Sequence, residues 1–99
     1  MNISKRKEQD KLVLQLEGRL DTMTSPQLEK ALGEELTDER ELVLDLTPLQ
    51  YISSAGLRVL LTAHKRMIGR EGRLTVRGAN ESVREVFTIT GFMNILHVE

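Results

Sequence analysis

The chain predicts an α/β domain with a mostly parallel or mixed sheet. Three observations predict it. Short apolar runs of strand length, such as Leu42-Val43-Leu44-Asp45-Leu46, are separated by stretches with apolar residues at helical spacing. The helical stretches begin at residues suited to capping and stop at or near glycine. The resulting order, β-β-α-β-α-β-α-β, places helical crossovers between strands. With 99 residues, a single domain spanning 1–99 is expected.

Each element follows from local chemistry. Leu12-Val13-Leu14-Gln15-Leu16-Glu17-Gly18 reads as a strand paired with residues near 2–8 through a turn at Gln9-Asp10. Helix one opens at Thr24-Ser25-Pro26, where serine suits the N-cap and proline the first helical position. Leu28, Leu32 and Leu36, with Ala31, form its apolar face, and Gly33 weakens it. The strand Glu41–Leu46 is apolar enough to be buried on both faces, which makes it central. Helix two runs from Ser54 to Ile68 and stops at Gly69. Its i, i+3, i+4 pattern turns Leu57, Leu60, Leu61, Ala63 or His64, and Ile68 toward the sheet, and leaves Arg58, Thr62, Lys65 and Arg66 exposed. Arg73–Arg77 alternates as a strand. Asn80 caps a third helix carrying Val83, Val86, Phe87 and Ile89, Gly91 ends it, and Ile95–Val98 closes the chain as a strand.

Composition excludes several classes. The net charge is -1, from 14 basic and 15 acidic residues that are well mixed, so no long-range field steers nucleic acid or an anionic membrane. Tyr51, Phe87 and Phe92 are the only aromatics, too few for a stacking platform. The absence of cysteine excludes a disulfide framework and a thiolate metal site. No run approaches the ~20 apolar residues of a membrane span. Met1–Lys7 is not followed by the apolar stretch of a signal peptide, so a cytoplasmic protein is expected.

The segment that carries chemistry is Tyr51-Ile52-Ser53-Ser54-Ala55-Gly56-Leu57. It sets two serines between an apolar strand and an amphipathic helix. A hydroxyl at a helix start can cap exposed N–H groups, and the positive end of the helix dipole there tolerates phosphate. Capping alone by Ser53 or Ser54, with Gly56 allowing close packing, is the plain alternative. Spacing argues against a serine hydrolase, a reading that would need activity dependent on Ser54 and a histidine. The G-x-S-x-G elbow is missing, and His64 lies ten residues along the same helix, about 15 Å away at ~1.5 Å per residue. His97 lies too near the end of the chain to act as a held base, and two histidines without a carboxylate cluster make a poor metal site. Gly69-Arg70-Glu71-Gly72 reads as a helix stop and turn, and Arg66, Arg70, Arg73 and Arg77 as a solvated face. Asp21, in Gly18-Arg19-Leu20-Asp21, falls in a loop after a strand. If that strand is parallel to Glu41–Leu46, the loop after Leu46 lies on the same edge and brings Asp21 toward Ser54.

These residues resemble the anti-sigma factor antagonists, which are STAS domains. The resemblance rests on Leu44-Asp45-Leu46 through Ile52-Ser53-Ser54-Ala55-Gly56-Leu57, on Gly18-Arg19-Leu20-Asp21, and on Thr90-Gly91-Phe92. It implies a sheet of about four to five strands with helices mainly on one face. The family's phosphorylated serine lies two places before the glycine, which is Ser54 here. Many relatives carry aspartate at the preceding position, where this chain has Ser53, so Ser53 is the alternative acceptor. The resemblance implies a partner-switching protein that is not an enzyme and has no cofactor. Unphosphorylated, it would bind an anti-sigma factor serine kinase and release that kinase's client. Phosphorylation at Ser54 would end binding, and a metal-dependent serine phosphatase would restore it. Asp21, Ser53, Ala55, Gly56, Arg58 and Thr62 are the expected contact residues. A scaffold or transport-accessory STAS domain that is never phosphorylated is the other reading.

Overall fold

The first two strands form an antiparallel hairpin, and every later strand runs parallel to its neighbour. The structure, a computed structural model, describes residues 1–99. β1 (Asn2–Glu8) pairs with β2 (Lys11–Leu20) through the turn at Gln9-Asp10, where Gln9 has φ +50°. β2 then bends at an irregularity between Gly18 (φ +106°) and Arg19, a conformation that suits glycine. The bend lets β2 pair with two strands in succession. Residues 11–15 pair with β3 (Glu41–Asp45), and Gly18–Leu20 pair with β4 (Leu49–Ile52). β3 continues to β5 (Arg73–Arg77) and β5 to β6 (His97–Val98). The sheet order is β1-β2-β3-β5-β6, with β4 beside the end of β2.

Alternation along the strands sends Leu12, Leu14, Leu16, Leu42, Leu44, Leu74 and Val76 to one face. There they join Leu28, Leu32 and Leu36 of α1 (Ser25–Glu35) and its end, Leu57, Leu60, Ala63 and Met67 of α2 (Ser54–Gly69), and Val83 and Phe87 of α3 (Glu81–Thr90) in one core. Val13, Val43 and Thr75 are buried outside that cluster, on the alternate positions of the same strands. All three helices therefore cover one face, as the resemblance implied.

The structure corrects several expectations. β4 is a sixth strand that the sequence concealed. Helix one takes Thr24 as its N-cap, with Ser25 already helical and buried. On α2, Met67 enters the core and Ile68 is 57% exposed, because the burial stripe drifts by one position over four turns. On α3, Ile89 is 75% exposed. The last strand shrinks to His97–Val98, because Phe92–Asn94 forms a 3-10 turn. Asn80 does cap α3, its Oδ1 accepting from the Val83 amide at 2.8 Å, and Gly91 ends that helix with φ +80°. Gly33, in mid-α1, needs no special φ and touches nothing. A Cβ built there meets no atom within 4 Å, so the glycine costs about 0.5–1 kcal/mol against alanine with no packing return.

Carboxylates tie three loops. Burial pushes the Asp45 carboxyl up, but the hydroxyl and amide of Thr47, the Gln15 amide and Arg77 together hold it below its ordinary value of 3.8. Burial likewise raises Glu39. Its own amide, the Thr37 amide and Lys7 at 3.3 Å outweigh this and hold it below 4.5. Asp21 is also lowered, as described below. A carboxyl lowered in the native state contributes stability that is complete above its unfolded value and is lost as pH falls through its native value. Stability to denaturant should therefore hold from pH 7 to about 5 and drop steeply below 4. Asp45→Asn should flatten the acid limb. An acid limb equally steep in that variant would remove the Thr47 turn from the explanation.

Candidate functional site

The parallel pairing of β2 and β4 places the loops that follow them at one edge of the sheet. Leu20 and Ile52 are register partners, and the Ser53 amide donates to the Leu20 carbonyl at 2.9 Å. From that point the chain turns into α2. Ser53 is extended (φ -103°, ψ 176°) and is the N-cap, its Oγ accepting from the Gly56 amide at 3.4 Å. Ser54 is the first helical residue and is exposed, whereas Ser53 is half-buried. The two adjacent serines thus hold different positions. One hydroxyl serves the helix and the other faces solvent at the positive end of the helix dipole.

Gly56 makes this entry possible. It is buried, and a Cβ there would lie 2.8 Å from Leu20 Cγ, 2.9 Å from Ile52 Cγ1 and 3.0 Å from the Leu20 carbonyl oxygen. It presents no surface; it lets the first turn of α2 rest against the ends of β2 and β4. Gly56→Ala gains ~1 kcal/mol of helix propensity but overpacks a rigid corner at a cost of about 1–3 kcal/mol. A net loss of about 1 kcal/mol in denaturant unfolding is expected. A more stable variant would show that the corner can open.

Asp21 shares the edge but spends its carboxylate on its own loop. Oδ1 accepts from the amides of Met23 (3.0 Å) and Thr24 (3.1 Å) and from the Thr24 hydroxyl (3.2 Å). Burial raises this carboxyl, and those bonds, with Arg19 at 3.8 Å, more than reverse the effect. Thr24 Oγ1 also donates to the Arg19 carbonyl at 2.7 Å, and Ser25 Oγ donates to the Asp21 carbonyl at 2.6 Å. Asp21 therefore shapes the loop that flanks Ser54.

Ala55, Arg58 and Thr62 line one side of a groove of about 220 Å³, and Thr22, Pro26 and Glu29 line the other. Arg58 and Thr62 are exposed on successive turns of α2, and the Thr62 hydroxyl donates to the Arg58 carbonyl at 3.0 Å. The structure so gathers Ser53, Ser54, Ala55 and Arg58 at the start of α2 and Thr62 one turn further along it, with Asp21 in the facing loop and Gly56 beneath. Sequence reasoning missed Met23, 86% exposed in the Asp21 loop, and the α1 wall of the groove. The wall follows from the parallel pairing of β2 and β4, which brings two helix starts side by side and which no sequence signal announces.

The one-sided α/β sheet with a serine at the start of α2 fits the STAS fold. The family model described as "Mlab, STAS domain" matches residues 3–97, and the chain belongs to that family. Within it, the chain groups with the anti-sigma factor antagonists. It is 39% identical to BtrV of Bordetella bronchiseptica, assigned as an anti-sigma factor antagonist, over 99% of this chain and 85% of that protein. It is 31% identical to the anti-sigma-B factor antagonist of Listeria monocytogenes over 100% of this chain and 90% of that protein. The solved structure of the anti-sigma factor antagonist SpoIIAA in its unphosphorylated form superposes with a TM-score of 0.85 at 17% identity, over 99% of this chain and 88% of that one. Its phosphorylated form, from Bacillus, superposes at 0.77 and 16% identity, over 99% and 91%. No helix of this chain is long and apolar enough to cross a membrane.

Proposed function

We propose that the chain is a cytoplasmic, non-enzymatic anti-sigma factor antagonist that works by partner switching. Unphosphorylated, it binds an anti-sigma factor that is also an ATP-dependent serine kinase, and the kinase releases its client. The kinase then phosphorylates Ser54, which ends the interaction, and a metal-dependent serine phosphatase resets the chain. Nucleotide and metal belong to those partners. The observation that carries this reading is the exposed Ser54 hydroxyl at the start of α2, beside a Ser53 that holds the cap. A phosphate brings about -1.5 to -2 charges, which the helix end stabilises while a docked partner surface does not. Incubation with the anti-sigma factor kinase encoded in the same genome, with ATP, should give a singly phosphorylated chain that no longer binds the kinase. A chain that binds unmodified and stays unmodified would support the scaffold reading instead.

Arg58 lies one turn beyond Ser54 on the exposed face and belongs in this contact. Arg58→Glu should weaken kinase binding most at low salt, with the difference shrinking as salt screens the charges. Its unfolding free energy should stay within about 0.5 kcal/mol of the unmodified chain, as surface changes usually do. Equal affinities at low salt would move the contact to the Asp21 loop.

A further inference from the structure

Ser54 is the first residue of α2, and Arg58 stands four places on. Side chains at that spacing share one face of a helix, with Cβ atoms about 5–6 Å apart. Both residues are exposed. What sets Arg58 apart is a guanidinium without a partner. The chain has nine arginines. Four pair with carboxylates and three donate to main-chain carbonyls. The two left over are Arg40 and Arg58, and Arg40 precedes β3 at the far end of the sheet from Ser54. Arg19, on the same edge as the serine, is already engaged by Asp21 and the Tyr51 ring. The acids around Arg58 leave it free as well. Asp21 spends its carboxylate on the amides of Met23 and Thr24. Glu29, on the facing wall of the groove, makes no ion pair, and the first turn of α2 holds no acidic residue. A guanidinium binds phosphate through two parallel N–H bonds, and an anion four places before a cation is the favoured order along a helix.

We propose that Arg58 is the internal counter-ion of phosphorylated Ser54. The inference rests on the partner-switching reading and names the group that receives the phosphate within this chain. Phosphorylation then acts twice on the docking edge. It adds about -1.5 to -2 charges, and it withdraws from the kinase the cation that Arg58 offers while Ser54 is unmodified. Lysine at 58 would supply charge without the planar fork, so it holds the phosphate less well than arginine.

Phosphoserine placed at position 54 during synthesis makes the test independent of the kinase, whose hold on Arg58 variants is itself altered. The phosphorylated chain is compared with its Arg58→Lys and Arg58→Gln variants by phosphorus NMR through the second ionisation of the phosphate, at low and high salt. The helix end favours the dianion in all three alike, and Asp21 and Glu29 are common to them. The phosphate beside Arg58 should therefore titrate roughly half a pH unit below that of Arg58→Gln, with Arg58→Lys between. The gap should narrow as salt rises. Coincident titrations of the Arg58 and Arg58→Gln chains at low salt overturn the proposal while leaving Ser54 as acceptor. In parallel, the unmodified chain is incubated with the kinase and ATP. A chain that the kinase neither binds nor phosphorylates removes the partner-switching reading, and this inference with it.

Discussion

Ser54→Ala is expected to abolish phosphate transfer from the anti-sigma factor kinase, and Ser53→Ala to leave it largely in place. The two residues are chemically identical neighbours, so the contrast must come from their settings. Ser53 Oγ accepts from the Gly56 amide and sits half-buried at the N-cap, with its own amide tied to Leu20. Ser54 is exposed in the first turn. Removing the cap hydroxyl should cost stability, at the low end of the usual 0.5–2 kcal/mol because the 3.4 Å bond is long. Removing the exposed hydroxyl should cost little. Mass spectrometry of the kinase product and denaturant unfolding of both variants check the two halves separately. Phosphate found mainly on Ser53 would reverse the assignment and require the cap to open during transfer.

The second large effect is on affinity. Ser54→Asp should bind the kinase about a hundredfold more weakly while unfolding at nearly the same temperature as the unmodified chain. Aspartate suits the beginning of a helix and the positive end of its dipole, worth about 0.3–1 kcal/mol in favour of the fold. The same charge placed in a contact patch meets no designed partner, and a loss of about 3 kcal/mol there is a hundredfold in affinity. Affinity and unfolding must therefore be measured on one preparation. A variant that loses its partner only because it has unfolded would remove Ser54 from the switch.

The elements with strong local signals could be read from the sequence alone. Arg73–Arg77 and the Asn80 cap with its Gly91 stop stand where the sequence placed them, because strand alternation and cap chemistry are local. The two-sided burial of Leu42, Val43 and Leu44 announced a central strand. β4 escaped because four residues carry no period, and Gln50 and Tyr51 are exposed in it, with the Tyr51 ring stacked under the Arg19 guanidinium at 4.3 Å. Helical spacing alone turns Ile68 toward the sheet and sets Ile89 on the apolar face of α3. The registers of α2 and α3 against the sheet, set by tertiary packing, send them outward. For the site, the serine pair and the glycine were visible as a motif. Which serine caps was not, since either could, and the packing of Gly56 against Leu20 and Ile52 settles the entry angle of the helix. The carboxylate of Asp21 could not be assigned to its own loop without the positions of Met23 and Thr24.

The unequal placement of Ser53 and Ser54 bears on what a modifying enzyme recognises. In an extended peptide copied from residues 49–58, the two hydroxyls are equally available and nothing but their immediate neighbours tells them apart. In the folded domain one is withdrawn and one is offered, and the difference is maintained by contacts to Leu20, more than thirty positions earlier in the chain. Selective modification is then a reading of tertiary structure. A misfolded copy would offer an ambiguous target and no docking face, so under the proposed switch the off signal would reach only molecules able to deliver the on signal.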